Sequence, residues 1–329
     1  MDKAKLGPAA GIGYPRTWNE FLDWFATEEA CLSYLEKVRW PSGFVCPRCG
    51  SVADPYRASR SRLMCRDCRH QSTVTAGTIF DKTRTPLRVW LAAAWYVTNQ
   101  KQGVSALGLQ RVLGLGSYET AWAMLHRLRR AMVRTGREQL KGRVEVDETY
   151  LAITDRQQPR SAVGRKSHTN KALVAIAVET LQPKGFGRVR MQRIAQGNAQ
   201  HLVPFVLEVV ELGAQVRTDG SAAYRSLPAL GYSLEQTVML GSDVPAHVPM
   251  PGVHRVAALI KRWILGTHHG AVQPEHLDYY LDEFVFRFNR RTSRSRGMLF
   301  WRLLQQAVAT DPVTYEDVVS KTHKRRKSV

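Results

Sequence analysis

"VEVDETYL", residues 144–151, is where the chain changes character. Val144 and Val146 fall on one side of an extended backbone, with Glu145 and Asp147 on the other. That is the period-two pattern of a strand with one apolar face. Carboxylates opposite an apolar face belong either to a solvated strand surface or to the floor of a site at a sheet edge. Further short β-branched runs follow: "KALVAIAVE" (171–179), "GRVRMQRI" (187–194) and, after the helical "HLVPFVLEVVEL" (201–212), "AQVRTDG" (214–220). Strands broken by one long helix and followed by more helices predict a mixed α/β domain.

Two later stretches bear on the same domain. Asp219-Gly220 ends the strand "AQVRTDG". An Asp there is a usual position for a metal-binding carboxylate in α/β sheets, and equally a cap for the helix that follows. Beyond Pro249, "VHRVAALIKRW" (253–263) has an apolar face of Val256, Leu259, Ile260 and Trp263. His254 and Lys261 are seven residues apart and share one side of that helix, over the small Ala258. Glu283, Arg287 and Arg290 repeat at i, i+4 and i+7, opposite an apolar stripe of Leu277, Leu281, Phe284 and Phe288. A surface ladder of that kind contributes little to stability.

Upstream, "CPRCG" and "CRDC" place Cys46, Cys49, Cys65 and Cys68 as two C-x2-C pairs separated by fifteen residues. Two thiolates two residues apart can hold one cation from a tight turn, and a hairpin of this length brings the second pair round to complete a tetrahedron. Four soft thiolates suit structural Zn²⁺. Cys31, inside the helical "EEACLSYL", reads as core. Arg48, Arg57, Arg60, Arg62, Arg66 and Arg69 clothe the ribbon in positive charge.

"GVSALGLQRVLGLGSYETAWAMLHRLRRAM" (103–132) divides at Gly114–Ser117 into two helices, with Ser117 capping the second. Trp122, Leu125, Leu128 and Met132 are expected on its buried side; His126, Arg127, Arg129 and Arg130 are expected outside. A short helix, a Gly-containing turn and a basic second helix match a helix-turn-helix, and also match any helical hairpin with a basic face.

The 329 residues carry 48 Lys+Arg against 28 Asp+Glu, a net charge of +20, which implies a polyanionic partner such as nucleic acid. The first residues have no apolar signal core, and "VWLAAAWYV" (89–97) is far short of the ~20 residues a membrane helix needs. The expectation is a soluble cytoplasmic, nucleoid-associated protein with no membrane partner.

With "CPRCG…CRDC", "VEVDETYL", "TDGSAAY", "KRWILGTHHG" and "HLDYYLDEFVFRFNRR", the chain resembles bacterial insertion-sequence transposases that join an N-terminal zinc ribbon to a DDE-type catalytic domain, from about Trp18 to Gln306. The resemblance implies an α/β, RNase-H-like fold: a mixed five-stranded sheet with flanking helices, preceded by the zinc ribbon and a small helix-turn-helix domain. The expected divisions are 14–40 helical lead-in, 41–80 ribbon, 81–140 helix-turn-helix, 141–308 catalytic domain and 309–329 basic tail.

By position, Asp147 and Asp219 match the first two ligands of catalytic Mg²⁺ or Mn²⁺. The third, a Glu or Asn in such families, falls on His254, 35 residues beyond Asp219. Imidazole is a poor ligand for Mg²⁺ and an acceptable one for Mn²⁺. His254 is therefore a neutral ligand or general base, or the site runs on two aspartates with water and substrate phosphate, or the protein binds DNA without cutting it. Lys261 matches the basic DNA contact, joined by Arg262; Glu283 matches an auxiliary site residue, with Arg287 and Arg290 as phosphate contacts.

The implied activity is metal-dependent cleavage and transfer of DNA strands. Terminal inverted repeats and target duplex are the substrates, and a homodimer or larger synaptic assembly is the working form. The alternatives are a non-catalytic DNA-binding protein derived from a transposase and a metal-dependent DNA nuclease.

Overall fold

The computed structural model describes residues 8–134, 136–154, 170–237 and 249–320. In chain order these hold α1 (Trp18–Trp24), α2 (Glu28–Arg39), β1 (Tyr56–Ala58), β2 (Arg62–Met64), β3 (Gln71–Ser72), α3 (Leu87–Asn99), α4 (Ala106–Leu113) and α5 (Tyr118–Ala131). Then come β4 (Arg143–Ala152), β5 (Lys171–Thr180), β6 (Phe186–Ile194), α6 (Ala199–Val209), β7 (Gln215–Asp219) and β8 (Ser233–Thr237). The last elements are α7 (Pro251–His268), α8 (Leu277–Phe288), α9 (Arg296–Ala307) and α10 (Tyr315–Ser320). They form two compact units: residues through Arg134 with Ser293–Ser320, and Thr135–Thr292.

In the first unit, α3 is apolar nearly all round, as a helix surrounded by others must be. Trp90, Leu91, Ala93, Ala94, Trp95 and Val97 are all buried. Phe300 of α9 packs edge-on to Phe21, Phe25 and Trp95. The close approach of α9 to the N-terminal segment depends on Gly297, where a Cβ would lie 1.9 Å from the Pro15 carbonyl oxygen. Residues Ser293–Ser320, part of which the expected division of 141–308 included, group with the N-terminal unit, where α9 buries its apolar face. The expected tail of 309–329 begins with further structure, since α10 is helical, and residues 321–329 lie outside the described ones.

The second unit is built on a five-stranded sheet in the order β6-β5-β4-β7-β8. β4, β5 and β6 pair antiparallel, whereas β4 with β7 and β7 with β8 pair parallel, so this is the mixed RNase-H-like sheet. Strand alternation sends side chains to two separate cores. Val144, Val146, Ala175, Ala177 and Val216 meet Leu202, Phe205 and Val206 of α6. Val174, Ile176, Val178, Val189 and Met191 face Val253, Val256 and Ile260 of α7 and Leu281 and Phe284 of α8. Glu145 and Asp147 therefore project toward the side covered by α7.

Candidate active site and zinc centre

Cys46 Sγ lies 3.6 Å from Cys68 Sγ and Cys49 Sγ lies 3.7 Å from Cys65 Sγ, and all four sulfurs are within 4.8 Å of one another. Thiolates about 2.3 Å from a tetrahedral zinc stand about 3.8 Å apart, so the donor set fits Zn²⁺. Each pair stands on a tight turn. The Gly50 amide donates to Cys46 O at 2.9 Å with Gly50 at φ +75°, and the Cys65 amide donates to His70 O at 2.9 Å. The amides of Arg48 and Cys49 point at Cys46 Sγ. Phe44 and Leu63 bury the centre from below. Cys31 is fully buried and stands apart from the cluster.

The acidic site grows out of strand register. β4 and β7 pair Arg143 with Gln215, Val144 with Val216 and Glu145 with Arg217. The recorded pairing ends there; Asp147 and Asp219 follow two residues later on their strands, on the same faces as Glu145 and Arg217, and the Asp219 charge acts on Asp147. The Glu148 amide donates to Asp147 Oδ1 at 2.8 Å, and the Ser221 amide to Asp219 Oδ1 at 3.1 Å, so both carboxylates are held by their own backbones. Burial pushes the Asp147 carboxyl up to about 6; the charges of Asp219 and Glu145 add to the rise, and Lys261 opposes it. Lys261 is exposed on α7 with its charge directed to Asp147, and Arg262 beside it is exposed too.

Glu148 is a site residue that strand alternation concealed, because its position belongs to the apolar face of β4. Tyr224, fully buried, donates its hydroxyl to Glu148 Oε2 at 3.0 Å. A Cβ on Gly197 would lie 2.9 Å from Glu148 Oε1, so a glycine makes room for the carboxylate. Burial pushes Glu148 up to about 7, against the Tyr224 hydrogen bond, and Asp147 and Asp219 raise it further. The available sequence signals were the Asp-Glu dipeptide itself and the tyrosine that ends "TDGSAAY".

His254 is half-buried on the first turn of α7, on the side of Glu145. Among the described residues, the four cysteines are the one group of three or more candidate ligands gathered within 4.8 Å; Asp147, Asp219 and His254 do not close to that distance. Two aspartates on neighbouring strands whose charges act on each other still suit a hard dication, which would relieve their mutual repulsion.

Glu283 is no surface residue: it is 1% exposed, and Arg287 Nε donates to its Oε1 at 2.8 Å. Its helix packs on β6 whereas α7 packs on β4 and β5. Arg290 lies 4.0 Å over the Phe286 ring. α7 runs through Gly266 to His268 and ends with His269 at φ +51°.

In the first unit, α4 ends at Gly114 in the left-handed conformation, and Ser117 Oγ accepts from the Thr120 amide at 3.1 Å to start α5. The expected outward side of α5 needs correction. His126 is fully buried and Arg129 is 1% exposed, with Arg129 Nη1 and His126 Nε2 3.4 Å apart. A helix flanked on several sides buries positions that a two-helix pattern leaves outside. Burial depresses the Arg127 guanidinium, and Asp81 opposes this. Arg127 and Arg130 are half-buried, and the exposed end of α5 is Tyr118, Glu119 and Thr120.

Residues 26–71 match the transposase zinc-ribbon domain, and residues 139–289 match the ISXO2-like transposase domain. An uncharacterized protein in transposable element ISH50 of Halobacterium salinarum is 25% identical over 275 residues, spanning 80% of this chain and 91% of that protein. Among solved structures, similarity extends to the Mos1 strand transfer complex (15% identity, 71% of this chain, 78% of that chain, TM-score 0.26). It extends also to a simian T-cell lymphotropic virus intasome in complex with a PP2A regulatory subunit (14%, 58% and 70%, TM-score 0.30). A four-cysteine ribbon followed by an RNase-H-like sheet, each matching its transposase counterpart in the same order, makes this chain similar to insertion-sequence transposases of the zinc-ribbon, ISXO2-like kind.

Proposed function

We propose that the protein binds the terminal inverted repeats of its element and catalyses metal-dependent cleavage and transfer of DNA strands. The observation that carries this reading is that Asp147 and Asp219 stand on neighbouring parallel strands, with the charges of Asp219 and Lys261 both reaching Asp147. The two carboxylates would hold Mg²⁺ or Mn²⁺, which when bound activates the attacking hydroxyl and stabilises the leaving oxygen of a phosphodiester. Lys261 and Arg262, exposed on α7, contact the phosphates flanking the reacting bond. His254, set back toward Glu145, acts on water or on a bound cation as a neutral imidazole. Glu283 orients Arg287, and Arg287 and Arg290 serve the DNA backbone.

The zinc ribbon and the α4–α5 hairpin bind the terminal repeats, supported by the +20 charge and the arginines around the ribbon. Joining two ends requires both to be held at once, so a homodimer or larger synaptic assembly is the working form, on duplex DNA in the cytoplasm and nucleoid. Purified protein mixed with a terminal-repeat duplex and either metal tests the reading. Nicking and joining of pre-cleaved 3′ ends, lost in Asp147→Ala and Asp219→Ala with DNA affinity retained, are expected. Tight binding with no nicking in either metal leaves only a DNA-binding role, and nicking without joining leaves a nuclease.

A further inference from the structure

One register step below the aspartates, β4, β7 and β8 carry a second charged row. Glu145 is paired with Arg217, and Arg217 with Glu235. Glu145 is 2% exposed, and its Oε2 accepts from the amides of Gly252 at 2.7 Å and Val253 at 3.0 Å. These are first-turn amides of α7, an 18-residue helix whose own N-cap, Met250, makes no side-chain cap. Such amides need an acceptor, and an anion there also meets the positive end of the helix. Arg217 holds the segment just before the helix, donating to Pro249 O at 2.9 Å and to Glu235 Oε1 at 2.6 Å. Arg143 donates to the other oxygen of Glu235 at 2.8 Å. Gly252 completes the fit, because a Cβ there would lie 2.8 Å from Glu145 Oε2.

We propose that Glu145 and Arg217 are positioning residues that clamp the start of α7 to the two strands bearing Asp147 and Asp219, and so set Lys261 against Asp147 and His254 over Glu145. Strand spacing and helix phase then do the rest: the same two strands fix both carboxylates and the first turn, and Lys261 follows two turns on. The catalytic consequence rests on the function proposed above, whereas the clamp itself does not.

Full-length Glu145→Ala, Glu145→Gln and Asp147→Asn test it by hydrogen exchange across residues 250–256 and by steady-state nicking of a terminal-repeat duplex. Without the acceptor, exchange at the first turn of α7 should rise at least ~10-fold in Glu145→Ala. Glu145→Gln, which keeps an oxygen, should stay within ~3-fold of wild type. In nicking, Glu145→Ala should lose ~10–100-fold in kcat with KM for DNA little changed, and Glu145→Gln should retain a third or more. Wild-type exchange in Glu145→Ala would overturn the clamp. A Glu145→Gln protein as inactive as Asp147→Asn would make Glu145 a metal ligand instead. If the wild-type protein nicks in neither metal, the proposed function fails while the exchange measurement still decides the clamp.

Discussion

Asp147 shows at the scale of one residue how burial changes a carboxylate, here the one that the proposed function makes a metal ligand. Its proton is held up to about 6, from an ordinary 3.8, by burial first and the Asp219 charge after. An acid whose folded value is raised binds its proton more tightly in the folded state. Stability contributed by the protonated form is therefore present at low pH and lost as pH rises through the interval from about 4 to about 6. Without added Mg²⁺ or Mn²⁺ at pH 7.5, the ribbon zinc kept in place, Asp147→Asn should thus be more stable than wild type by ~1–2 kcal/mol after solvent screening, read as a rise in Tm. Added Mn²⁺ should raise the wild-type Tm and leave the variant's unchanged. A lower Tm for the variant without added Mn²⁺ contradicts this account. At His254, Glu should move nicking toward Mg²⁺ by supplying an oxygen donor, and Ala should lower it at least ~10-fold in Mn²⁺. If Ala cuts as fast as wild type, His254 only begins a helix. The places of Asp147 on a strand, Asp219 at a strand's end and Lys261 on a late helix were legible from local pattern. Glu148 and the buried role of Glu145 were not, since partners such as Tyr224 and Gly252 lie 76 and 107 residues away.

At the scale of elements, termini were easier to read than faces. Ser117 as the cap of α5 follows from local chemistry alone, and the Ser117→Ala variant should lose ~1 kcal/mol, measurable by urea unfolding. Which side of α5 is outside does not follow locally: His126 and Arg129 are buried although both are polar. The same holds for α9, whose amphipathic pattern says that it packs and leaves open against what. Gly297 marks the answer, since any side chain there meets the Pro15 carbonyl. Gly297→Ala should destabilise the protein by ~1–3 kcal/mol as an overpacked contact, and cost nothing if α9 lies elsewhere.

At the scale of the molecule, the ribbon is too small to fold on apolar burial alone, its core being Phe44, Leu63 and the cysteines, so metal must supply much of its stability. Cys46→Ser should reduce bound zinc from near one per chain toward zero and open the ribbon to protease, while the sheet unit keeps its circular dichroism. Equal loss of both would show that the ribbon does not fold separately. The charge of +20 predicts that affinity for duplex DNA falls steeply and linearly in log–log form with salt, most of it common to any sequence. A flat salt response would remove nucleic acid as the partner of that charge.

The sequence by itself determined the order of the parts, the zinc ligands, the sheet-forming segments and the strand positions of Asp147 and Asp219. Each of these rests on short-range spacing: C-x2-C turns, period-two strands and a residue at a strand's end. Tertiary structure alone decided where α9 belongs, which face of α5 is covered, how Glu148 is held and what fastens the start of α7. Those depend on side chains brought together across long stretches of chain, and burial changes their charge and their role in ways no local pattern records.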